Sequence, residues 1–149
     1  MKLLDINILL YAYVPEYPEH ERAKAWLENA LSARERVLLP LVTILGFIRI
    51  GTDARVFSKP FDPSVALSIV ESWISRPNVR SVEPSVDHWT LLRDVTLAGQ
   101  ARGATITDAH LATLAMEYGA VLYTTDRGFT RFPGLRTKNP LAGKVDGPP

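Results

Sequence analysis

The stretch Lys2-Leu3-Leu4-Asp5-Ile6-Asn7-Ile8-Leu9-Leu10, a short apolar run that ends on an acidic residue and passes straight into a helical pattern, constrains this chain more than any other. Leu3 and Leu4 suit a strand buried on both faces. Ile6, Leu9, Leu10 and Tyr13 then recur at the spacing of one helix face. Asp5 therefore stands at a strand's carboxyl end, the edge of an open α/β sheet where ligands bind. A carboxylate there is either a metal ligand or an N-cap for the helix that follows, and taken alone the capping role is the commoner one. The arrangement returns near the other end of the chain, where Val121-Leu122-Tyr123 reads as a buried strand that delivers Asp126 just past its end.

Between these two points strand and helix patterns alternate. Pro15 and Pro18 interrupt the first helix, and Ala23, Trp26, Leu27, Ala30 and Leu31 define a second with one apolar stripe. Arg36 to Leu39 reads as a strand, after which Pro40 opens a nearly wholly apolar helix from Leu41 to Ile50. Asp62-Pro63 marks the start of a helix that Pro77 closes, Val79 to Val82 a strand, and Ser85 to Ala98 a helix ended by Gly99. Thr107 is the expected cap of a helix with Leu111, Leu114, Ala115 and Tyr118 on its core face, which puts Asp108 in the first turn. A short strand is expected near Leu135 to Thr137. The alternation predicts an α/β fold with a parallel sheet of four to five strands sandwiched by helices, in a single domain over residues 1–138. Residues 139–149, rich in Gly and Pro, are expected to form a loose tail.

Composition narrows the function classes. A chain of 149 residues with 46% hydrophobic and 22% charged residues has the makeup of a globular domain and no run as long as a membrane-spanning helix. Asp5 and Asn7 interrupt the apolar N-terminus before a signal-peptide core forms, and the absence of cysteine excludes disulfides and thiolate metal sites, so a cytoplasmic address is expected. A net charge of +1 does not advertise nucleic-acid binding, and any basic surface must be a local patch.

Three carboxylates, Asp5, Asp108 and Asp126, thus fall at strand or helix ends that a doubly wound topology brings to one edge. Like charges at close range raise one another's pKa, and a divalent cation is the usual compensation. Oxygen ligands without His or Cys point to Mg²⁺, with Mn²⁺ as a substitute. The natural chemistry of such a site is metal-assisted hydrolysis of a phosphodiester. No Walker-type phosphate loop and no Gly-x-Ser-x-Gly elbow is present, and His20, His88 and His110 lack metal-ligand spacing, which makes each a surface or partly buried helical residue.

The opening Leu-Leu-Asp-Ile-Asn, the segment Pro40 to Arg49, then Thr107-Asp108-Ala109-His110-Leu111 and Tyr123-Thr124-Thr125-Asp126-Arg127-Gly128-Phe129 together resemble the PIN-domain ribonucleases, and among them the VapC-type toxins. The resemblance implies a single PIN-like domain. It implies a Mg²⁺-dependent endoribonuclease that cuts structured RNA such as tRNA, held silent by a cognate antitoxin and assembled as a homodimer. Phe57 and Phe61, flanking a basic loop, are candidates for that interface or for the core. The family's first, third and fourth acidic residues carry over to Asp5, Asp108 and Asp126, as metal ligands and catalytic groups. Where the family has a glutamate in a Glu-x-x-Arg helix, this chain has Gly46-Phe47-Ile48-Arg49, and position 46 is expected to face the carboxylate edge. Asn7, Thr107 and Thr125 are candidates to position water or phosphate oxygens, and Arg49, Arg102, Arg127 and Arg131 to contact phosphate. The competing reading is a non-catalytic PIN-like module that binds RNA or protein and has lost turnover with the glutamate. A phosphotransferase with Asp5 as nucleophile is a weaker third, because position 7 is Asn7 and no partner lysine follows a later strand.

Overall fold

Leu3 and Leu4 are completely shielded from solvent, as a strand with neighbours on both sides and both faces requires. In the computed structural model, which describes residues 1–143, this first strand is the centre of one five-stranded sheet. The strands are β1 (Lys2–Leu4), β2 (Val37–Pro40), β3 (Val79–Val82), β4 (Val121–Tyr123) and β5 (Thr137–Lys138). Their order is β3-β2-β1-β4-β5. Every pairing is parallel. The chain steps from β1 outward to β2 and β3, then returns across the sheet to β4 on the other side of β1. The direction of travel thus reverses between β1 and β4, and the carboxyl ends of those two strands flank the crevice this leaves.

Among the described residues six helices cover the sheet: α1 (Ile6–Tyr13), α2 (His20–Ser32), α3 (Leu41–Gly51), α4 (Pro63–Ile74), α5 (His88–Ala98) and α6 (Thr105–Glu117). Alternation along the strands divides the core in two. Leu4, Val37, Leu39, Val79 and Tyr123 face the side covered by α1 to α4, where they meet Leu9, Leu27, Phe47 and Trp73. Leu3, Leu38, Val82 and Leu122 face α5 and α6, where they meet Val95, Leu111, Leu114 and Phe129. On the first side Trp73 packs edge-on against Phe47 at 4.7 Å, and its indole N–H donates to the Tyr13 hydroxyl at 3.0 Å. Its only polar atom is satisfied there, as burial demands. No helix of the described chain is long and apolar enough to cross a membrane.

Several expected boundaries move for identifiable reasons. Helix α6 begins at Thr105, so Thr107 lies inside it and caps nothing; the hydroxyl of Thr105 instead closes the preceding loop on the N–H and carbonyl of Arg102, both at 2.8 Å. Helix α5 begins at His88, three residues after the expected start, and the Ser85 hydroxyl before it donates to Glu117 and accepts from the Asp87 N–H. Gly99 ends α5 without a left-handed backbone, a conformation that falls to Gln100 at φ 51°. What position 99 requires is the absence of a side chain, since a Cβ there would sit 2.5 Å from the Phe132 ring. Phe57 is buried in the first core, and Phe61, half-buried, packs against it. The last strand is Thr137–Lys138, paired with Leu122 and Tyr123. Beyond residue 138, Leu141 is buried and its carbonyl accepts from Arg22 at 3.0 Å; residues 144–149 of the expected tail lie outside the described residues.

Candidate active site

Because β1 and β4 are adjacent and parallel, with Leu4 opposite Tyr123, the residues that leave their ends must meet. Pairing continues one step further, the Asp5 N–H donating to the Tyr123 carbonyl at 3.1 Å. Asp5 is buried, at 7% exposure. Its Oδ1 accepts from the Ile6 N–H at 2.7 Å and so caps α1, while its Oδ2 accepts from the Thr124 hydroxyl at 2.7 Å. The two readings of Asp5, cap and site residue, are therefore compatible. Each carboxylate oxygen keeps unused lone pairs. The Thr124 oxygen in turn accepts from the Asp126 N–H at 3.0 Å, and Asp126 Oδ1 accepts from Gly128 N–H at 2.7 Å at the start of a 3-10 turn, Arg127–Arg131. A continuous chain of hydrogen bonds thus ties the end of β1 to the loop after β4. Asp108 comes to the same edge from the first turn of α6.

The three carboxylates lie within electrostatic reach of one another. Burial pushes the Asp5 carboxyl above its ordinary value; the hydrogen bonds from Thr124 and Ile6 oppose this, and the charges of Asp108 and Asp126 add to it. Asp108 is also raised, by burial first and then by Asp126, with Arg131 pulling the other way. Carboxylates that are buried and face like charges are stabilised in their ionised form by a bound cation. The donor set, hard oxygens at a strand-end crevice, fits a magnesium-type ion. Among the described residues no group of three or more His, Cys, Asp or Glu side chains is arranged to hold a metal ion. The fit is to an ion that takes one or two carboxylates and keeps several waters, as magnesium does.

The other candidates separate. Arg131 faces Asp108 closely enough to lower its pKa. Arg49, exposed on α3, lines a cavity of about 750 Å³ between α3 and α6, together with Ile6, Gly46, Thr107 and His110. Arg102 and Arg127 are exposed, Asn7 and Thr125 half-buried. It is Thr124, beside Thr125, whose hydroxyl reaches Asp5, a contact visible only once the strands are paired. Gly46 is buried against Ile6, whose side chain fills the space that a side chain at position 46 would need.

A polar network sits on the α5–α6 side. His88 is buried. Its Nδ1 is 2.7 Å from Glu117 Oε2 and its Nε2 is 2.9 Å from His110 Nδ1, while the Ser85 hydroxyl donates to Glu117 Oε1 at 2.5 Å. Burial works against ionisation of Glu117, but the hydrogen bonds from Ser85 and His88 prevail and hold its pKa below the ordinary value. His110 is lowered by burial and by His88, against the pull of Glu117. The seven-residue spacing of His110 and Glu117 on one helix face was a signal of a shared face; nothing local announces His88.

The PIN domain family matches residues 2–135, a span that includes the whole carboxylate cluster. The chain is 36% identical over 145 residues to ribonuclease VapC43 of Mycobacterium tuberculosis, covering 97% of this chain and 99% of the relative. Among solved structures it is similar to VapBC-1 from nontypeable Haemophilus influenzae, with a TM-score of 0.66 and 20% identity over 93% of this chain and 97% of that one. It is similar also to VapC20 of Mycobacterium tuberculosis, a sarcin-ricin loop cleaving toxin, with a TM-score of 0.66 and 15% identity over 91% and 99%. These structural likenesses are likenesses of fold. Since the family match spans four of the five strands and all three carboxylates, and the likeness to VapC43 runs nearly end to end, the chain belongs to the PIN-domain family, in its VapC branch.

Proposed function

We propose that this protein is a divalent-metal-dependent endoribonuclease, the toxin of a toxin–antitoxin pair, that hydrolyses phosphodiester bonds in structured RNA such as tRNA. The observation that carries this reading is the crowding of Asp5, Asp108 and Asp126 at the β1–β4 switch point, with two of their pKa values raised, in a chain 36% identical to a VapC ribonuclease. Asp5 and Asp108 would hold Mg²⁺ or Mn²⁺, and Asp126 would contribute through the same ion or by orienting the attacking water. When bound, the ion supplies neutralising charge at the phosphodiester and lowers the pKa of water.

The chain's own residues do the rest. Thr124 holds Asp5 Oδ2 and the loop that carries Asp126 in one geometry, so two of the carboxylates arrive pre-oriented. Arg131, beside Asp108, and Arg49, at the mouth of the adjoining cavity, are placed to take phosphate oxygens of a bound strand. Arg102, Arg127, Asn7 and Thr125 are further candidates for the same strand. An antitoxin partner fits the likeness to VapBC-1, a homodimer the family resemblance, and a cytoplasmic address the lack of cysteine.

The test is incubation of the purified protein with a cellular RNA pool and Mg²⁺ or Mn²⁺, beside an Asp108→Asn control. Discrete fragments from the wild type alone support the proposal. RNA that is bound but stays intact with both metals would return the protein to the non-catalytic binding role.

A further inference from the structure

With both imidazoles neutral, the network of Ser85, Glu117, His88 and His110 has one orientation. The Glu117 carboxylate accepts from the Ser85 hydroxyl and from His88 Nδ1–H. A neutral imidazole has a single N–H, so His88 Nε2 is left as an acceptor. His110 Nδ1, 2.9 Å away, must then carry the proton of its own ring. The outcome is a lone pair on His110 Nε2. Among the described residues that atom has no hydrogen-bond partner, and it is not sealed from solvent. His110 lines the cavity of about 750 Å³ between α3 and α6, within the ordinary size of a ligand site.

Resting on the reading that the substrate is RNA, we propose that this cavity receives a single unstacked nucleobase next to the cut, and that His110 Nε2 reads it by accepting from an exocyclic amino group. Ile6, Leu45 and Leu114 offer apolar walls to the faces of a base. Unstacked bases are read in this way, between apolar side chains and by hydrogen bonds on an edge. Ile6 and Thr107, the sequence neighbours of Asp5 and Asp108, line the cavity, so its wall is continuous in the chain with the segments that carry two of the carboxylates. Arg49 on the same wall suits the phosphate that trails the base. Glu83, also at the cavity, repels phosphate from its own end and is a second acceptor for an amino group. Adenine, cytosine and guanine bring such a group. Uracil offers its one base N–H between two carbonyl oxygens, which a cavity presenting acceptors disfavours. His88 and Glu117 touch no substrate and act as positioning residues that keep the proton on His110 Nδ1.

The experiment measures binding of the full-length protein to short fluorescent oligomers of adenosine, cytidine, uridine and purine riboside, in EDTA at about pH 8, where unperturbed imidazoles are neutral. Purine riboside is adenosine without the amino group. The wild type should bind the adenosine and cytidine oligomers about fivefold more tightly than the other two, the worth of one net hydrogen bond. His110→Phe should weaken only the first pair and level all four, and His110→Gln, which restores an acceptor, should recover part of the preference. Imidazole ¹⁵N spectra of the wild type should show the Nδ1–H form of His110, lost in His88→Leu. Equal binding of adenosine and purine riboside by the wild type overturns the proposal whatever the variants do. A preference that survives His110→Phe, or an Nε2–H form in the wild type, overturns it too. In each of those cases binding itself leaves the RNA reading standing, whereas no binding to any oligomer together with no cleavage of an RNA pool sinks that reading and this one with it.

Discussion

The hydroxyl of Thr124 donates a 2.7 Å hydrogen bond to Asp5 Oδ2 across 119 residues of sequence, and the same oxygen accepts from the N–H of Asp126. One small side chain therefore positions two carboxylates of the cluster. Thr124→Val keeps the shape and removes both interactions, leaving a buried carboxylate oxygen without its donor. The expected cost is about 1–3 kcal/mol. It should be read as a lowered urea midpoint at unchanged slope, and RNA cleavage should fall with it.

Raised pKa values at Asp5 and Asp108 have a definite sign. Each group binds its proton more tightly in the folded state than in the unfolded one, so the folded state gains stability below the ordinary carboxylate value of 3.8 and loses it as pH rises through the raised value. At neutral pH, Asp108→Asn should stabilise the metal-free protein, by about 0.5 kcal/mol after allowance for solvent screening at a half-buried position. Melting curves of wild type and variant, compared in EDTA at mildly acid and neutral pH, check this. The difference should shrink toward acid, and an Asp108→Asn protein that is less stable at neutral pH contradicts the repulsion.

Divalent metal should reverse that ranking. A ligand that binds only the folded state stabilises it by about 2.7 kcal/mol at a hundred times its dissociation constant. For a domain of this size that is a rise of several degrees, at roughly 2–4 °C per kcal/mol. Millimolar Mg²⁺ or Mn²⁺ should raise the melting temperature of the wild type and leave the Asp5→Asn and Asp108→Asn variants nearly unmoved. Equal responses in all three would place the ion elsewhere.

Gly46 and Ile6 occupy one volume between them. A Cβ on Gly46 would overlap the Ile6 side-chain tip and lie 3.0 Å from its Cγ1. Gly46→Ala should therefore destabilise by about 1–3 kcal/mol through overpacking, offset by the roughly 1 kcal/mol that alanine gains over glycine within a helix. Gly46→Glu alone should bind Mn²⁺ no better than wild type. Ile6→Ala with Gly46→Glu opens the space and should bind more tightly in calorimetric titration. No gain in the folded double variant would show that position 46 does not reach the carboxylates.

The strands, the helices and the parallel α/β class were legible in local pattern, because burial on two faces and on one face leaves different periodicities in the chain. Asp5, Asp108 and Asp126 were legible for a related reason: each stands where an apolar run stops or a helix starts. The partners of those residues were not. Thr124 meets Asp5 only because β1 and β4 pair in parallel with Leu4 opposite Tyr123. Ile6 fills the gap at Gly46 only because α1 packs on α3. His88 finds His110 and Glu117 across the α5–α6 contact, where a buried polar group must be satisfied by whatever the neighbouring element presents. Phe57, with nothing in its local sequence to separate interface from interior, was settled by the first core closing over it. By itself, then, the sequence determined the elements, the sheet class and the carboxylates at their ends, since those follow from interactions between residues a few positions apart. Which side chains complete the site was decided by tertiary structure alone, since hydrogen bonding and close packing act over a few ångströms of space and carry no memory of distance along the chain.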